Sequence, residues 1–274
     1  MTYTFSQIAS YLESIAALNY QESYDNSGLL VGEPNTEVTG ILVSLDAIES
    51  VIDEAKEKGC NLVVAHHPIV FRGLKSFTGK NYVERTVMKA LREGIGIYAI
   101  HTNLDNVEDG VNAKISEKIG LINREILAPK NNIINKGIDD NQKVGSGMIG
   151  ELPTSISIHA FLAHLKTKMN LPLIKHTSLD SFQSKNIKKI AVCGGAGSFL
   201  LKNAIKREAD VFITADYKYH EFFDAENKIV ICDIGHYESE VYTKDLLVDF
   251  LVEKFSDIKI EACKVNTNPI EYYF

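Results

Sequence analysis

The chain has 274 residues, of which 45% are hydrophobic and 24% are charged, the composition of a globular protein with one large domain or two lobes. Its net charge of −7 argues against general binding to nucleic acid or to an anionic membrane surface. No apolar run approaches the roughly 18 residues of a membrane span, and the first residues lack the basic start and apolar core of a signal peptide. The four cysteines show no C-x-x-C spacing, which indicates reduced, mostly buried thiols in a cytoplasmic protein: Cys60, Cys193, Cys232 and Cys263.

Helices and strand-length apolar runs alternate through the first half of the chain. A helix begins after Thr4, because Thr4 and Gln7 have capping-box spacing and apolar residues follow with a helical period. Asp25 and Asn26 belong to a turn signal, and the alternative is a position at the edge of an active site. The predicted strands cover 29–31, 41–46, 61–65 and 95–100, and the predicted helices cover 4–18, 47–58, 83–93 and 111–119.

The middle of the chain has a different character. Residues 123–145 are polar and rich in turn-forming residues, which predicts a linker or a long surface loop. Thr154 or Ser155 is expected to cap a helix that ends near Met169. Short strands are predicted on either side of this helix, at 148–152 and 171–174. Three histidines of this region are interpreted as surface or packing residues: His159, His164 and His176.

Strand, helix and strand recur in the second half. The strands are predicted at 189–193, 210–214, 228–234 and 258–265, and the helices at 199–207 and 241–255. In both halves the second strand begins about twenty residues after the first, a βαβ spacing that favours parallel strands. The predicted fold class is therefore α/β, with two lobes that contain mainly parallel sheets. The glycine-rich segment 193–198 favours a tight turn over an anion site, because it lacks a phosphate-loop lysine.

Side chains suited to metal binding or acid–base chemistry follow the predicted strands. Ligands of open α/β sheets bind beyond the carboxyl ends of the strands, so these residues are expected to share one region. They are Asp46, His66, His67, His101, Asp105, Asp216, His236 and Glu240.

Two short motifs in this set have metal-binding geometry. His66 and His67 end a predicted strand, and Pro68 favours an extended conformation at His67. Both imidazoles can then face one cleft; the alternative is one packed and one solvated histidine. His236 and Glu240 are spaced i, i+4, so a helix would present both on one face. The alternative here is a capping histidine and a solvated glutamate.

Asp105 completes the candidate set, although a turn or helix cap is the alternative for this residue. Two histidines, one aspartate and a His-x-x-x-Glu pair all follow predicted strands. Together they predict a two-metal site with imidazole and carboxylate ligands.

The motifs resemble those of a known family. They are Tyr-Asp-Asn-Ser-Gly-Leu-Leu-Val-Gly, Ala-His-His-Pro, His-Thr-Asn-Leu-Asp, Cys-Gly-Gly-Ala-Gly-Ser and Gly-His-x-x-x-Glu. In this order they are similar to the GTP cyclohydrolase I type 2 homologue family, also called the NGG-interacting-factor-three-like family. The resemblance extends from Tyr24 to the Asn-Pro tail. Tyr24 stands where Trp is expected, and Ala215 stands where Gly is expected.

The resemblance implies two divalent metal ions per chain. His66 and Asp105 are expected to bind one ion, His67 and His236 the other, and Glu240 to bridge them. The ligand types suit Zn, Fe, Mn, Co or Ni, and the sequence does not choose among these metals. The remaining candidates are expected to hydrogen-bond the ligands or to transfer protons: Asp46, His101, Asp216 and His220. Among them His101 is the candidate catalytic residue, with a structural role as the alternative.

The resemblance also implies an architecture. Residues 1–125 with 236–274 are expected to form the first α/β lobe, and residues 126–235 the second, with the metal pair in the cleft between them. Segment 123–188 is too short for the domain that long family members insert in mid-chain. A toroidal homohexamer is expected, together with a cytoplasmic location, no membrane association and no nucleic-acid partner.

The function implied is metal-dependent hydrolysis. A GTP cyclohydrolase-type reaction would use metal-bound hydroxide to open the imidazole ring of guanine in a purine nucleotide, with His101 as a proton shuttle. Arg72 and Lys75 are the nearest cations in sequence for its phosphates. Two alternatives stay open: a metal-binding scaffold or regulatory partner without turnover, and a phosphoesterase.

Overall fold

The computed structural model describes residues 2–130 and 143–273. The chain divides into two compact units. Unit 1 comprises Met1–Leu104 and Thr243–Ile270, and unit 2 comprises Asp105–Tyr242 and Glu271–Phe274. The lobes expected over residues 1–125 with 236–274 and over residues 126–235 stay predictions.

Unit 1 contains a five-stranded sheet whose order is β1-β4-β3-β2-β11. Its strands are β1 (Gly28–Val31), β2 (Ile41–Ser44), β3 (Leu62–Ala65), β4 (Gly96–Ala99) and β11 (Ile260–Ala262). All pairs are parallel except that of β1 with β4. Every residue of β2, β3 and β4 is buried, which explains why each strand is a continuous apolar run in the sequence.

Unit 1 contains four α-helices of two turns or more and one short α-helix within the described residues. They are α1 (Phe5–Ile15), α2 (Glu49–Glu57), α3 (Tyr82–Glu93) and α9 (Thr243–Lys254), while α4 (Thr102–Asp105) continues into unit 2. The predicted capping box is present, because Gln7 accepts a hydrogen bond from the backbone N–H of Thr4 at 2.9 Å. Helix α3 ends at Gly94, whose φ of 66° is the left-handed conformation that glycine adopts without strain.

Unit 2 contains a six-stranded sheet whose order is β5-β6-β8-β9-β10-β7. Its strands are β5 (Ile122–Pro129), β6 (Gly145–Ser157), β7 (Lys175–His176), β8 (Asn186–Ala196), β9 (Val211–Ala215) and β10 (Val230–Asp233). Strands β8, β9 and β10 pair in parallel, as the βαβ spacing predicts. The other three pairs are antiparallel. The α/β fold class is confirmed, and this second sheet is mixed.

Four helices accompany the second sheet in the described part of unit 2. They are α5 (Val111–Ile119), α6 (Ile158–Lys168), α7 (Leu201–Lys206) and α8 (His236–Glu240). Across both units, no helix within the described residues combines the length and the apolar character that a membrane crossing requires. All four cysteines are buried free thiols, as the sequence predicts.

Three predicted elements of unit 2 are wrong. Residues 122–129 form a strand, whereas a loop was expected over 123–145; residues 131–142 of that loop lie outside the described residues. Neither Thr154 nor Ser155 caps α6, because β6 continues to Ser157, whose Oγ accepts from the backbone N–H of Ala160 at 3.3 Å. The strand expected at 171–174 lies later, at β7, where it pairs with β10.

Candidate metal centre

The carboxyl ends of β2, β3 and β4 meet at one edge of the first sheet. Ala65, the last residue of β3, is in register with Ser44 of β2 and with Ala99 of β4. Parallel pairing therefore places the residues that follow these strands side by side. This explains why Asp46, His66, His67 and His101 come together in unit 1.

His66 is completely buried, and its ring orientation is set by the backbone. Its Nδ1 lies 2.8 Å from the carbonyl oxygen of Ile100. A carbonyl oxygen can only accept, so Nδ1 carries the proton in this contact. The lone pair then belongs to Nε2, the atom through which His66 can bind a metal ion.

His67 is oriented by a carboxylate. Its Nδ1 lies 2.7 Å from Oδ1 of Asp46, and the other carboxylate oxygen of Asp46 accepts from the hydroxyl of Thr267. Burial raises the pKa of Asp46, but the hydrogen bond and the charge of His67 lower this pKa further, to below its ordinary value. Asp46 is therefore ionised at neutral pH, and it holds the proton of His67 on Nδ1.

His101 has the same arrangement with Asp25, which the sequence indicated first as a turn former. Its Nδ1 lies 2.7 Å from Oδ1 of Asp25. The other oxygen of Asp25 accepts from the backbone N–H of Thr102 at 3.0 Å and from the Thr102 hydroxyl. Burial opposes ionisation of Asp25, yet these bonds lower its pKa well below the usual range. Asp25 is thus more than a turn former. It lies beside the histidine cluster, a location like that of the alternative interpretation of this turn.

The three imidazoles of unit 1 form one cluster. Ring centroids are 4.9 Å apart for His66 and His67, and His101 lies 5.2 and 5.3 Å from these rings. One ring nitrogen from each residue lies within 4.8 Å of the others, so the three could hold a metal ion. The ligand set implied by the family resemblance leaves His101 out, whereas its geometry allows it to act as a ligand or as a neighbouring proton carrier.

Unit 2 contributes imidazole and carboxylate groups from α8 and from Asp105. Nε2 of His236 lies 3.0 Å from Oε2 of Glu240, one helical turn later. Nδ1 of His236 lies 2.7 Å from Oδ2 of Asp216. Burial lowers the pKa of His236, but Glu240 and Asp216 together raise it to about 11. The carboxylate oxygens of Asp105 and Glu240 lie within 4.8 Å of each other.

The glycine-rich segment makes room for Glu240. Gly195 has a φ of +59°, and a Cβ on this residue would lie 2.5 Å from Oε1 of Glu240. Its backbone N–H donates to Oγ of Ser239 at 3.0 Å, which fixes the segment against α8. Residues 186–196 belong to β8, so the predicted tight turn is confined to the end of a strand. Close approach to a candidate ligand is the physical reason for glycine here.

The candidate histidines share one chemical pattern. In each, Nδ1 faces a carboxylate or a backbone carbonyl, so Nε2 is the nitrogen suited to bind a metal ion; in His236 this atom faces Oε2 of Glu240. This arrangement is typical of metal-binding histidines, whose second nitrogen is anchored by hydrogen bonding. The pattern applies to His66, His67, His101 and His236. Asp46 and Asp216 are two of the anchors, as the sequence analysis anticipated for residues outside the ligand set.

The other histidines have different surroundings. His220 packs against the rings of Tyr219 and Phe223. Nε2 of His164 lies 2.7 Å from the carbonyl oxygen of Ile119, and Nδ1 of the exposed His176 lies 2.8 Å from that of Thr177. His164 and His176 therefore have the packing and surface roles expected of them.

Fold and side chains together define an α/β protein that carries histidine and carboxylate groups able to hold metal ions. The profile of the family Duf34/NIF3 (NGG1p interacting factor 3) matches residues 3–269. The chain belongs to this family, which confirms the resemblance found in its motifs.

Curated relatives match along nearly the whole chain. A Campylobacter jejuni protein named GTP cyclohydrolase 1 type 2 homolog is 31% identical over 269 residues, which are 98% of this chain and 99% of the relative. A Lactococcus lactis protein of the same name is 34% identical over 247 residues, 89% of this chain and 90% of the relative.

Solved structures have the same fold. A Bacillus cereus protein related to NIF3 superposes with a TM-score of 0.89 at 24% identity and covers 99% of each chain. A hypothetical protein of Staphylococcus aureus superposes with a TM-score of 0.87 at 29% identity, covering 98% of this chain and 99% of that one.

Proposed function

We propose that this protein is a dinuclear-metal-dependent hydrolase. One observation supports this proposal above the others: in four histidines Nδ1 is held by an oxygen acceptor, which makes Nε2 the nitrogen suited to bind a metal ion. A structural metal site would be closed by four ligands, commonly cysteines. The cysteines take no part in the histidine and carboxylate groups able to hold metal ions, as far as the described chain goes.

In the proposal, five side chains would hold two divalent ions. His66 and Asp105 would bind one ion, His67 and His236 the other, and Glu240 would be shared by both. The donor types fit this assignment, because imidazole and carboxylate ligands suit Zn, Fe, Mn, Co and Ni. Five ligands with one bridge leave coordination positions for water and substrate.

Bound divalent ions supply Lewis acidity and lower the pKa of coordinated water. The protein side chains contribute orientation and proton handling. Asp46 and Asp216 hold the rings of His67 and His236 by Nδ1, so that Nε2 of each ring points away from the anchoring aspartate. Asp25 does the same for His101, whose Nε2 can accept a proton from water or give one to a leaving group.

The proposed reaction is the ring opening of a purine nucleotide such as GTP. The relatives carry the name GTP cyclohydrolase 1 type 2 homolog, and this name motivates the choice of substrate. The exposed side chains of Arg72 and Lys75 follow the histidine pair, and neither forms an ion pair with another residue in the described part of the chain. They are therefore available for the substrate phosphates.

Metal content and turnover test the proposal separately. Elemental analysis should find two ions in the wild-type protein after loading and a large loss in Glu240→Ala, because this carboxylate contacts both ions. Glu253→Ala, an exposed change on α9, is the control and should keep both ions. Metal-loaded protein is then incubated with a nucleotide panel, and products are identified by mass.

The outcomes separate the candidate functions. A formyl-containing ring-opened product supports a cyclohydrolase, and release of phosphate alone supports a phosphoesterase. Two bound ions without any turnover would instead favour a metal-binding scaffold. Fewer than two ions in loaded wild-type protein would contradict the dinuclear centre.

Assembly and location belong to the proposal as well. We propose that the protein is a toroidal homohexamer in the cytoplasm. Its substrate is a small molecule, and it binds neither nucleic acid nor a membrane. Light scattering coupled to size exclusion should give six times the 30.5 kDa mass of the chain. A monomeric or dimeric mass at micromolar concentration would contradict the hexamer.

A further inference from the structure

Two aromatic side chains beside the histidine cluster of unit 1 are exposed to solvent. Tyr24 is 62% exposed and Phe71 is 44% exposed, although large apolar surfaces are usually buried. Their ring centroids are 6.1 Å apart and the rings are tilted by 43°. The ring of Phe71 also lies 6.3 Å from that of His101. The pair therefore offers an apolar surface next to a candidate catalytic residue.

Partly buried polar contacts hold the backbone of both aromatic residues in place. Asp25, which follows Tyr24, accepts hydrogen bonds from Nδ1 of His101 and from the backbone N–H of Thr102. Asn26 donates from Nδ2 to the carbonyl oxygen of Val70 at 2.6 Å, directly before Phe71. One turn thus connects the two aromatic residues to the cluster. Their exposure is a consequence of an ordered backbone, and such preorganisation favours binding.

Space for a small molecule adjoins this surface. A cavity of about 450 Å³ in unit 1 is lined by Phe71, Arg72 and Lys75. Its volume is in the range of small-molecule sites. It shares Phe71 with the aromatic pair, and its two cations suit an anionic substituent. A larger cavity of unit 1, of about 760 Å³, is lined by Asp46 and His67 but by neither ring of the pair.

We propose that Tyr24 and Phe71 form an aromatic ledge that binds the planar heteroaromatic ring of the substrate beside His101. This inference rests on the proposed function for its substrate, and it assigns recognition of the ring to these two residues. Planar rings gain dispersion and quadrupole energy against exposed aromatic faces. A purine base is the ring that the ledge would take, since bases stack on aromatic side chains with little dependence on sequence context.

The absence of tryptophan in this chain gives a direct test. Tyr24→Trp introduces the single tryptophan of the chain at the ledge, and this side chain can be excited selectively at wavelengths where tyrosine does not absorb. Guanosine is titrated into metal-loaded protein and into protein treated with a chelator. A stacked base should quench the fluorescence saturably in both samples, because the ledge itself does not require metal. Tyr273→Trp, at a fully exposed site in unit 2, is the matched control and should show only collisional quenching.

A second change tests the role of Phe71. In the Tyr24→Trp background, Phe71→Ala should weaken guanosine binding roughly tenfold, the loss typical of one aromatic stacking partner. Phe71→Tyr should restore binding to within about threefold, because the ring is retained. Metal content is measured in each variant and should stay at the wild-type value, since neither residue is a ligand.

The results distinguish this inference from the proposed function. Saturable quenching that depends on Phe71 supports the ledge even when no turnover or fewer than two ions are found. Linear quenching equal to that of Tyr273→Trp would overturn it. The ledge would also be overturned if ribose 5-phosphate, which has no aromatic ring, competed with guanosine and bound as tightly as guanosine does.

Discussion

Gly195 provides the sharpest test of the candidate site in unit 2. Replacing it by alanine places a Cβ 2.5 Å from Oε1 of Glu240 and 3.2 Å from Cε1 of His236. Ordinary contacts of a Cβ begin at 3.4 Å, so the carboxylate oxygen must move by about 1 Å. Metal-binding side chains need to be held to within about 0.5 Å of their productive positions. Gly195→Ala should therefore displace a proposed metal ligand.

The backbone contributes a second cost that needs its own control. Gly195 has a φ of +59°, where alanine costs about 1 to 2 kcal/mol. Gly94 has a φ of +66°, but an alanine Cβ there would meet no atom within 4 Å, so Gly94→Ala has the same strain without the clash. Both variants should lose similar backbone stability, and only Gly195→Ala should lose metal.

The assay is a metal titration of chelator-treated protein, followed by thermal unfolding with and without metal. We expect metal affinity to fall about 10- to 100-fold in Gly195→Ala, the range seen when the support of a ligand is disturbed. Gly94→Ala should bind metal like the wild type. If Gly195→Ala keeps wild-type affinity, Glu240 is not a ligand in its observed position and the assignment in unit 2 is wrong.

Three further predictions concern unit 1. Asp46→Asn should lower metal affinity about 10- to 100-fold, because the amide no longer holds the ring of His67 with a full negative charge; isothermal titration measures it. Metal at a hundred times the wild-type Kd should stabilise the protein by about 2.7 kcal/mol, so the Tm measured by calorimetry should rise by about 5 to 10 °C. At the same metal concentration this rise should persist in His176→Ala but shrink in His67→Ala. Burial raises the pKa of Glu54, but bonds from Cys263, Lys58 and two backbone N–H groups lower it to about 2. A depressed pKa contributes stability that is complete above about pH 4.5 and is lost as the pH falls toward 2. Glu54→Gln should therefore lower the free energy of unfolding by about 2 kcal/mol at pH 7, allowing for solvent screening, and by little at pH 2. Denaturant titrations at the two pH values measure this, and an equal loss at both would refute it.

Sequence periodicity predicted the parallel parts of both sheets well. Strand 61–65 is β3 (Leu62–Ala65), and helix 111–119 has the predicted bounds. These elements follow local rules, because a strand buried on both faces is a continuous apolar run and a helix shows a 3.6-residue period. The same rules placed His66, His67 and Glu240 at element ends. Candidate ligands could therefore be named from the sequence alone.

Long-range contacts could not be predicted in this way. Asp25 lies 76 residues from His101, so its local sequence indicated only a turn. The start of α6 was misplaced because Thr154 and Ser155 have the same capping chemistry as Ser157. The difference is that Ile156 pairs with Ile187 of β8, and such pairing extends β6 past both earlier candidates. Tertiary pairing overrode a local signal in each case.

The turn that contains Asp25 connects the two proposals for unit 1. Tyr24 is exposed on the ledge, Asp25 anchors His101, and Asn26 bonds to the chain just before Phe71. The ring-binding surface and the candidate proton carrier are thus attached to consecutive residues of one segment. A change at Phe71 affects only the ledge, whereas a change at Asp25 affects ring binding and the orientation of His101 together. If both proposals hold, binding of the substrate ring would be coupled through these hydrogen bonds to the position of His101, the proposed proton carrier.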